Sequence, residues 1–246
     1  MAREIWLGPI LNRNRDRIIG RCKDLLRRGA GRDFIYLAAT KPLMEQVSTR
    51  LLDDGVAGTI DQLNVYLLSG FSRRVFASAR YVDTGDAVAH FAPIDTDLRP
   101  VQRPLFSRIL SRLAEAEALD SFAQLARSDG LVQSMVALVA EIQRAGKTAA
   151  EFRAVVDRRE ALDAESRPAR EPGSSATLSY DRDTAIVYEH YERLLDEHFL
   201  TDASRDYLRA LAVLRGEFAG RPVRVPFVDE AKLLVVDGFF DILPVH

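Results

Sequence analysis

Lys232-Leu233-Leu234-Val235-Val236-Asp237-Gly238-Phe239-Phe240-Asp241 is the stretch on which the reading of this chain turns. Four apolar residues lead into an aspartate. A strand buried on both faces of a parallel sheet has this pattern, a continuous apolar run rather than an alternation. It would deliver the Asp237 carboxylate to the carboxyl edge of the sheet, where a hard oxygen ligand can hold a nucleotide-bound magnesium ion. Hydrolysis also needs a group that orients the attacking water, usually a glutamate directly after the aspartate. Gly238 stands there instead and has no side chain to do it. The strand predicts the architecture of a nucleotide-driven motor with part of its chemistry missing.

Upstream, Ile5–Leu7 and Phe34–Ala39 predict short apolar strands. Between them Arg13 to Arg28 predicts a helix, with Ile18, Ile19, Cys22, Leu25 and Leu26 on one face and Gly29 and Gly31 at its end. Strand–helix–strand is the unit of a parallel sheet. Ile5–Leu7, Phe34–Ala39 and Leu233–Val236 are therefore expected in one sheet. Thr40 opens a second helix, with Pro42 in its first turn where a missing N–H costs nothing. Leu43, Met44, Val47, Leu51 and Leu52 form its buried stripe. Val56–Gly58 is a very short strand candidate. Thr59, with Gln62 three residues on, makes a capping box that would open a helix running through Phe76.

After a loop at roughly 81–100 the periodicity becomes helical throughout. Helices are expected at 103–117, 120–127, 130–145, 149–157, 182–199 and 204–218. The Pro-, Ser-, Gly- and Arg-rich segment Ala164–Leu178 breaks the series and predicts a mobile loop. Strand character returns at Arg224–Val228 and Leu233–Val236. The expected fold class is α/β, a parallel sheet interrupted by a large all-helical insertion. Residues 1–100 would be the first half of the α/β domain, 101–218 the insertion, and 219–246 the return to the sheet. The chain stops soon after Asp237, where an open sheet normally continues, so a longer parent protein is expected.

A chain of 246 residues can bury a sizeable core. Its 47% hydrophobic and 28% charged content is that of an ordinary globular protein, and a net charge of -2 gives no overall attraction to nucleic acid. Arg13, Arg15, Arg17, Arg21, Lys23, Arg27 and Arg28 crowd the first helix, the pattern of a solvated basic face. The single cysteine, Cys22, excludes an internal disulfide and a four-cysteine metal site. No signal peptide pattern follows Met1, and no apolar run is long enough to span a membrane. A cytoplasmic location is expected, with no membrane partner.

A phosphate-binding loop has the form G-x-x-x-x-G-K-[ST], and its amides cradle the phosphates. Gly8 sits where the first glycine should be, but Arg13, Asn14 and Arg15 occupy the G-K-[ST] positions. Arginine lacks glycine's backbone freedom, asparagine carries no charge, and Arg15 offers no hydroxyl for magnesium. The loop is degenerate and no cofactor is expected. Gly146-Lys147-Thr148 follows an amphipathic helix rather than a strand, which makes Gly146 a helix C-cap. Glu230-Ala231-Lys232 matches a nuclease-type acid–lysine pair but precedes its strand in a polar turn. His90, His190, His198 and His246 are scattered, without metal-ligand spacing. No residue is expected to be catalytic and none to ligate a metal.

Taken in order, these pieces resemble the N-terminal helicase-like region of AddB, the B subunit of the AddAB helicase–nuclease, related to UvrD-type superfamily 1 helicases. Phe34–Leu52 resembles the strand and helix with which those helicases touch single-stranded DNA. Gly58-Thr59-Ile60-Asp61-Gln62-Leu63 resembles their next DNA-facing motif. Leu200–Leu208 resembles the turn before the last helix of the family's helical insertion, and the Asp237-Gly238 strand resembles the AddB form of Walker B. The resemblance implies a degenerate P-loop, RecA-like sheet and a non-motor subunit of a double-strand-break repair and recombination complex. It implies binding of single-stranded DNA, with Thr40, Lys41 and Thr59 as contacts, and of an AddA-type helicase–nuclease partner. Gly8, Arg13, Asn14 and Arg15 would be the vestige of the phosphate loop, and Asp237 and Gly238 that of Walker B. This chain alone would hydrolyse nothing. The alternative is a nucleotide-dependent helicase or exonuclease subunit whose active site is completed by further regions or in trans.

Overall fold

The computed structural model describes residues 14–52, 63–88, 92–93, 99–166 and 174–239. In chain order, helix α1 (Asn14–Arg27) leads through a 3-10 turn at Gly31–Asp33 to strand β1 (Phe34–Ala38). Then come α2 (Lys41–Leu52), β2 (Val65–Tyr66), α3 (Leu68–Ser78), β3 (Arg80–Tyr81) and β4 (Ala92–Pro93). The helical stretch holds α4 (Arg99–Glu115), α5 (Asp129–Arg144), α6 (Ala149–Ser166) and α7 (Ser174–Glu197). It is followed by β5 (Leu200–Thr201), α8 (Ala203–Leu214), β6 (Glu217–Phe218), β7 (Arg221–Arg224), the single turn α9 (Pro226–Asp229) and β8 (Leu233–Asp237). The fold is mixed α/β and mostly helical, with a small parallel sheet of order β2-β1-β8. Its contacts divide into two compact units. One holds the described residues of 1–89 and 212–242, the other those of 90–211.

In the first unit β1 is buried along its whole length. It pairs with β8 from Phe34↔Leu233 to Ala38↔Asp237, and with β2 at Tyr36↔Val65. Side chains alternate across a strand. Phe34 and Tyr36 therefore share a face with Val65 and Val235, under Ile19, Cys22 and Leu26 of α1 and Val47 and Leu51 of α2. Ile35 and Leu37, on the opposite face, are also buried.

The last strand departs from its expected burial. Leu234 and Val236 are 59% and 55% exposed, and only Val235 is buried. β8 stands at the end of the order β2-β1-β8, so among the described residues it pairs only with β1. The core formed with α1 and α2 takes in Val235 alone of its three central residues. A continuous apolar run thus marks a strand covered on one face here.

Two further expectations shift. The helix expected from Thr59 to Phe76 is interrupted, because Val65–Tyr66 pairs with β1 and the helix starts only at Leu68. Buried Asn64 fixes this crossing. Its Nδ2 donates to the Gly31 carbonyl at 3.1 Å, its Oδ1 accepts from the Tyr66 hydroxyl at 2.9 Å, and its carbonyl accepts from the Tyr36 amide at 2.8 Å. The strand expected at Arg224–Val228 lies at Arg221–Arg224, paired antiparallel with β3 and β6. Pro226 then starts a helical turn, as its fixed φ favours, and Phe227 packs edge-on to Tyr66, ring centroids 5.8 Å apart. Ile5–Leu7, Val56–Gly58 and the Thr59–Gln62 capping box lie outside the described residues.

The second unit has a core of Phe106, Leu110, Val132, Met135, Val139, Tyr188 and Leu195, with Phe106 stacked on Tyr191 at 4.5 Å. The helix expected at 120–127 is only a 3-10 turn at Ala123–Leu125. The wholly buried Asp183 takes the amides of Asp120 and Phe122 at 3.1 and 2.8 Å and holds that segment in a bend. Of the loop expected at 164–178, residues 164–166 belong to α6 and 174–178 to α7, while 167–173 lie outside the described residues. The two helices are tied by ion pairs outside this segment, Arg153 with Glu189 and Arg182 with Glu160. Gly146, at φ 77, ends α5, and the Lys147 amide donates back to the Ile142 carbonyl at 3.2 Å, which closes the helix as the sequence predicts.

Asp202, 2% exposed, caps α8. Its Oδ1 accepts from the Arg205 amide at 2.9 Å, and its Oδ2 accepts from the Tyr191 hydroxyl at 3.0 Å and Gln143 Nε2 at 3.3 Å. Arg205, also buried, donates to Asp196 at 2.7 Å and to the carbonyls of Glu192 and Leu200. Every group here has a protein partner, which is how a buried polar network avoids a desolvation penalty.

Candidate site at the carboxyl edge of the parallel sheet

Parallel pairing sets the carboxyl ends of β1 and β8 side by side. Ala38 stands opposite Asp237, and the Ala39 amide donates to the Asp237 carbonyl at 3.1 Å. β1 thus leads to Thr40 and Lys41, and β8 to Asp237 and Gly238, along one edge. The start of α1 meets the same edge and brings Arg15 to Asp237.

Both oxygens of Asp237 are engaged. Arg15 Nη2 donates to Oδ1 at 2.7 Å, and the Tyr36 hydroxyl donates to Oδ2 at 2.6 Å. The Arg15 and Asp237 side chains are 30% and 16% exposed, so the pair is only partly screened. Burial pushes the Tyr36 phenol far above its usual range, and its bond to Asp237 acts the same way. The phenol therefore stays protonated and serves as a donor. The bond to Asp237 raises the already high pKa of Arg15 further, so the guanidinium is permanently charged.

This arrangement does not fit the magnesium ion that the strand's sequence predicts. Magnesium needs carboxylate oxygen at about 2.1 Å and a near-octahedral shell of further oxygens. Here a cation already lies against Oδ1. A divalent ion about 4 Å from the guanidinium would be repelled by roughly 8 kcal/mol at an effective dielectric of about 20. Among the described residues, no group of three or more His, Cys, Asp or Glu stands where it could hold a metal ion.

Gly238 is required for steric reasons as well as being chemically silent. Its φ is 78, a region that side chains rarely adopt, and an added Cβ would lie 2.7 Å from Leu43 Cδ2 and 3.6 Å from Ala39 Cβ. A glutamate here would carry a strained backbone and would displace the Leu43 side chain.

Thr40 Oγ1 accepts from the Leu43 amide at 3.4 Å, and its carbonyl accepts from the Met44 amide at 3.0 Å. It caps α2, though loosely. Lys41 is exposed, with its Nζ 3.8 Å from Glu45 Oε1, a surface pair that contributes little. No acidic residue occupies the first turn of α2. Asn14 is the first residue of α1, while Gly8, Arg13 and Thr59 lie outside the described residues. Lys232 is a structural tie: its Nζ meets Asp33 at 2.6 Å and its amide donates to the Asp33 carbonyl at 2.7 Å. His190 Nδ1 lies 2.9 Å from the Ile186 carbonyl, one turn back on its own helix.

Sequence reasoning missed Tyr36 and gave Arg15 only a place on a solvated basic face and the role of a missing hydroxyl, not its bond to Asp237. A signal was present. A tyrosine inside a buried strand needs a partner for its hydroxyl, and an aspartate at the end of the neighbouring strand can accept it. No protein-family model and no curated protein matches this chain, so a reading of its function rests on this geometry and on the residues that form it.

Proposed function

We propose that this chain is the helicase-like, non-motor region of an AddB-type subunit of a double-strand-break repair helicase–nuclease. It would hold single-stranded DNA and an AddA-type partner subunit without hydrolysing ATP. In this reading the sheet is a degenerate RecA-like one and the helices from α4 to α8 are its insertion. The observation that carries the proposal is the clasp on Asp237: the carboxylate that would bind magnesium is held by Arg15 and Tyr36. Next to it, Gly238 has no side chain to position a water, and its φ of 78 disfavours any residue that would bring one. DNA binding is assigned to the loop with Thr40 and Lys41 and, by the resemblance alone, to Thr59, which lies outside the described residues. Ligands meet open α/β sheets at this edge, and a helix N-terminus beside a lysine suits a phosphate. Arg15 weighs against the enzymatic alternative, since completion in trans would still need Asp237 open to a metal.

The test is a pair of titrations of the purified chain, one with fluorescent ATP–magnesium and one with labelled single-stranded DNA read by anisotropy. The expected result is no saturable ATP binding below about 100 µM and DNA binding that prefers single strands. ATP binding in that range would favour the enzymatic alternative. Failure to bind single strands at low salt would end the proposal.

A further inference from the structure

We propose that Arg15 takes the place of a divalent metal ion at Asp237, a tethered cation that closes this edge of the sheet to metal-bound nucleotide. The inference rests on reading Asp237 as the vestige of a magnesium-binding carboxylate, and it gives that vestige a present role. Arg15 comes from the first turn of α1 and Asp237 from the end of β8, 222 positions apart in sequence. Tyr36 fixes the second carboxylate oxygen from the middle of the sheet. The guanidinium thus has one orientation of Asp237 to meet, at charge-assisted hydrogen-bond distance.

Arg15 is also held in place from its own side. Its neighbour Asp16 is bound by Arg50 of α2 at 2.7 Å, and α1 is packed on the sheet through Ile19, Cys22 and Leu26. The guanidinium cannot leave Asp237 by a shift of α1 without breaking these contacts. On that reading the degenerate loop sequence and the arginine are one feature. The position that would supply a hydroxyl to the metal supplies the replacement cation. Restoring a glycine and a lysine to the loop would leave the site closed while Arg15 remains.

The test uses the full chain and Mn2+, followed by the loss of the free-ion EPR signal, with folding checked by circular dichroism. Wild type is expected to show no Mn2+ site that Asp237→Asn removes. Arg15→Ala is expected to lose about 5 °C in Tm and to gain one weak Mn2+ site, which disappears in Arg15→Ala/Asp237→Asn. A wild-type Mn2+ site that depends on Asp237, or a folded Arg15→Ala chain with no such site, overturns the proposal. If Arg15→Ala does not fold, ethylguanidinium at matched ionic strength should restore folding to Arg15→Ala but not to the double variant. Absence of that rescue is equally fatal. Neither measurement involves DNA, so this inference and the proposed DNA-holding function can fail separately.

Discussion

Asp237 in the sheet unit and Asp202 in the helical unit are held by similar groups to different ends. Each accepts from a tyrosine hydroxyl. Asp202 is 2% exposed, uses one oxygen to cap the helix that starts at the next residue, and shares its other oxygen with Gln143. Its partners stand 3, 11 and 59 positions away. Asp237 lies at the edge of a sheet, remains 16% exposed, and is bound across 222 and 201 positions by a guanidinium and a phenol. A capping carboxylate completes backbone hydrogen bonds that folding leaves open. Asp237 does no such service with its side chain, and its place at the carboxyl end of a parallel strand is where ligands are met. Location and partners, rather than burial of an acid as such, set Asp237 apart from the capping Asp202, and only under the proposed function is it the remains of a binding site.

The difference is broken most directly at Asp202. Asp202→Ala removes a helix cap and leaves Tyr191 and Gln143 without their acceptor in a buried network. A loss of about 3–4 kcal/mol is expected from the cap and the stranded donors together, seen as a lower midpoint in urea. A loss below about 1 kcal/mol would mean that the network relaxes or takes in water, and the contrast with Asp237 would lose its basis.

Gly238→Glu sharpens the contrast from the other side, by supplying the residue that hydrolysis needs. About 2 kcal/mol of destabilisation is expected, from a side chain at φ 78 and its crowding of Leu43. No ATP hydrolysis should appear, because Arg15 still engages Asp237. Phosphate release above background in that variant would show that the glutamate alone was lacking.

The sheet was legible where one periodicity dominated. Phe34–Ala38 and Leu233–Asp237 pair in parallel as their apolar runs predict, and α1 and α2 present the faces that Ile19, Cys22, Val47 and Leu51 mark out. Val65–Tyr66 was hidden because two residues carry no period, and the helical pattern on its far side could be extended through it. The ends of α6 and α7 were hidden because residues 158–166 and 174–181 hold few apolar side chains and so show no helical period. At the site, the place of Asp237 at the end of a parallel strand could be read because it depends on the adjacent apolar residues. The roles of Arg15 and Tyr36 could not, since they depend on contacts made across most of the chain. Among the described residues no helix is long and apolar enough to cross a membrane, in line with the absence of a long apolar run.

The smallest expected effect concerns Lys41, and it decides whether the edge that Asp237 shares with Thr40 meets a ligand at all. Thr40 accepts the Leu43 amide at 3.4 Å, so capping explains the threonine without any ligand. Capping does not explain Lys41. Its ammonium is exposed and loosely set against Glu45, and a lysine in the first turn is mildly unfavourable to the helix dipole. If it meets a phosphate, Lys41→Ala should weaken single-stranded DNA binding by several-fold, or about 1 kcal/mol. It should also reduce the slope of log K against log salt by about 0.7, the value for one phosphate contact on a single strand. Thermal stability should be unchanged or slightly higher, because a poorly placed charge is removed. Thr40→Ala should instead lower stability by about 0.5–1 kcal/mol through the lost cap, with a smaller effect on the salt slope. Lys41→Ala with wild-type affinity and wild-type slope would leave this loop as a helix start and nothing more, and the DNA contact would have to be sought elsewhere on the chain.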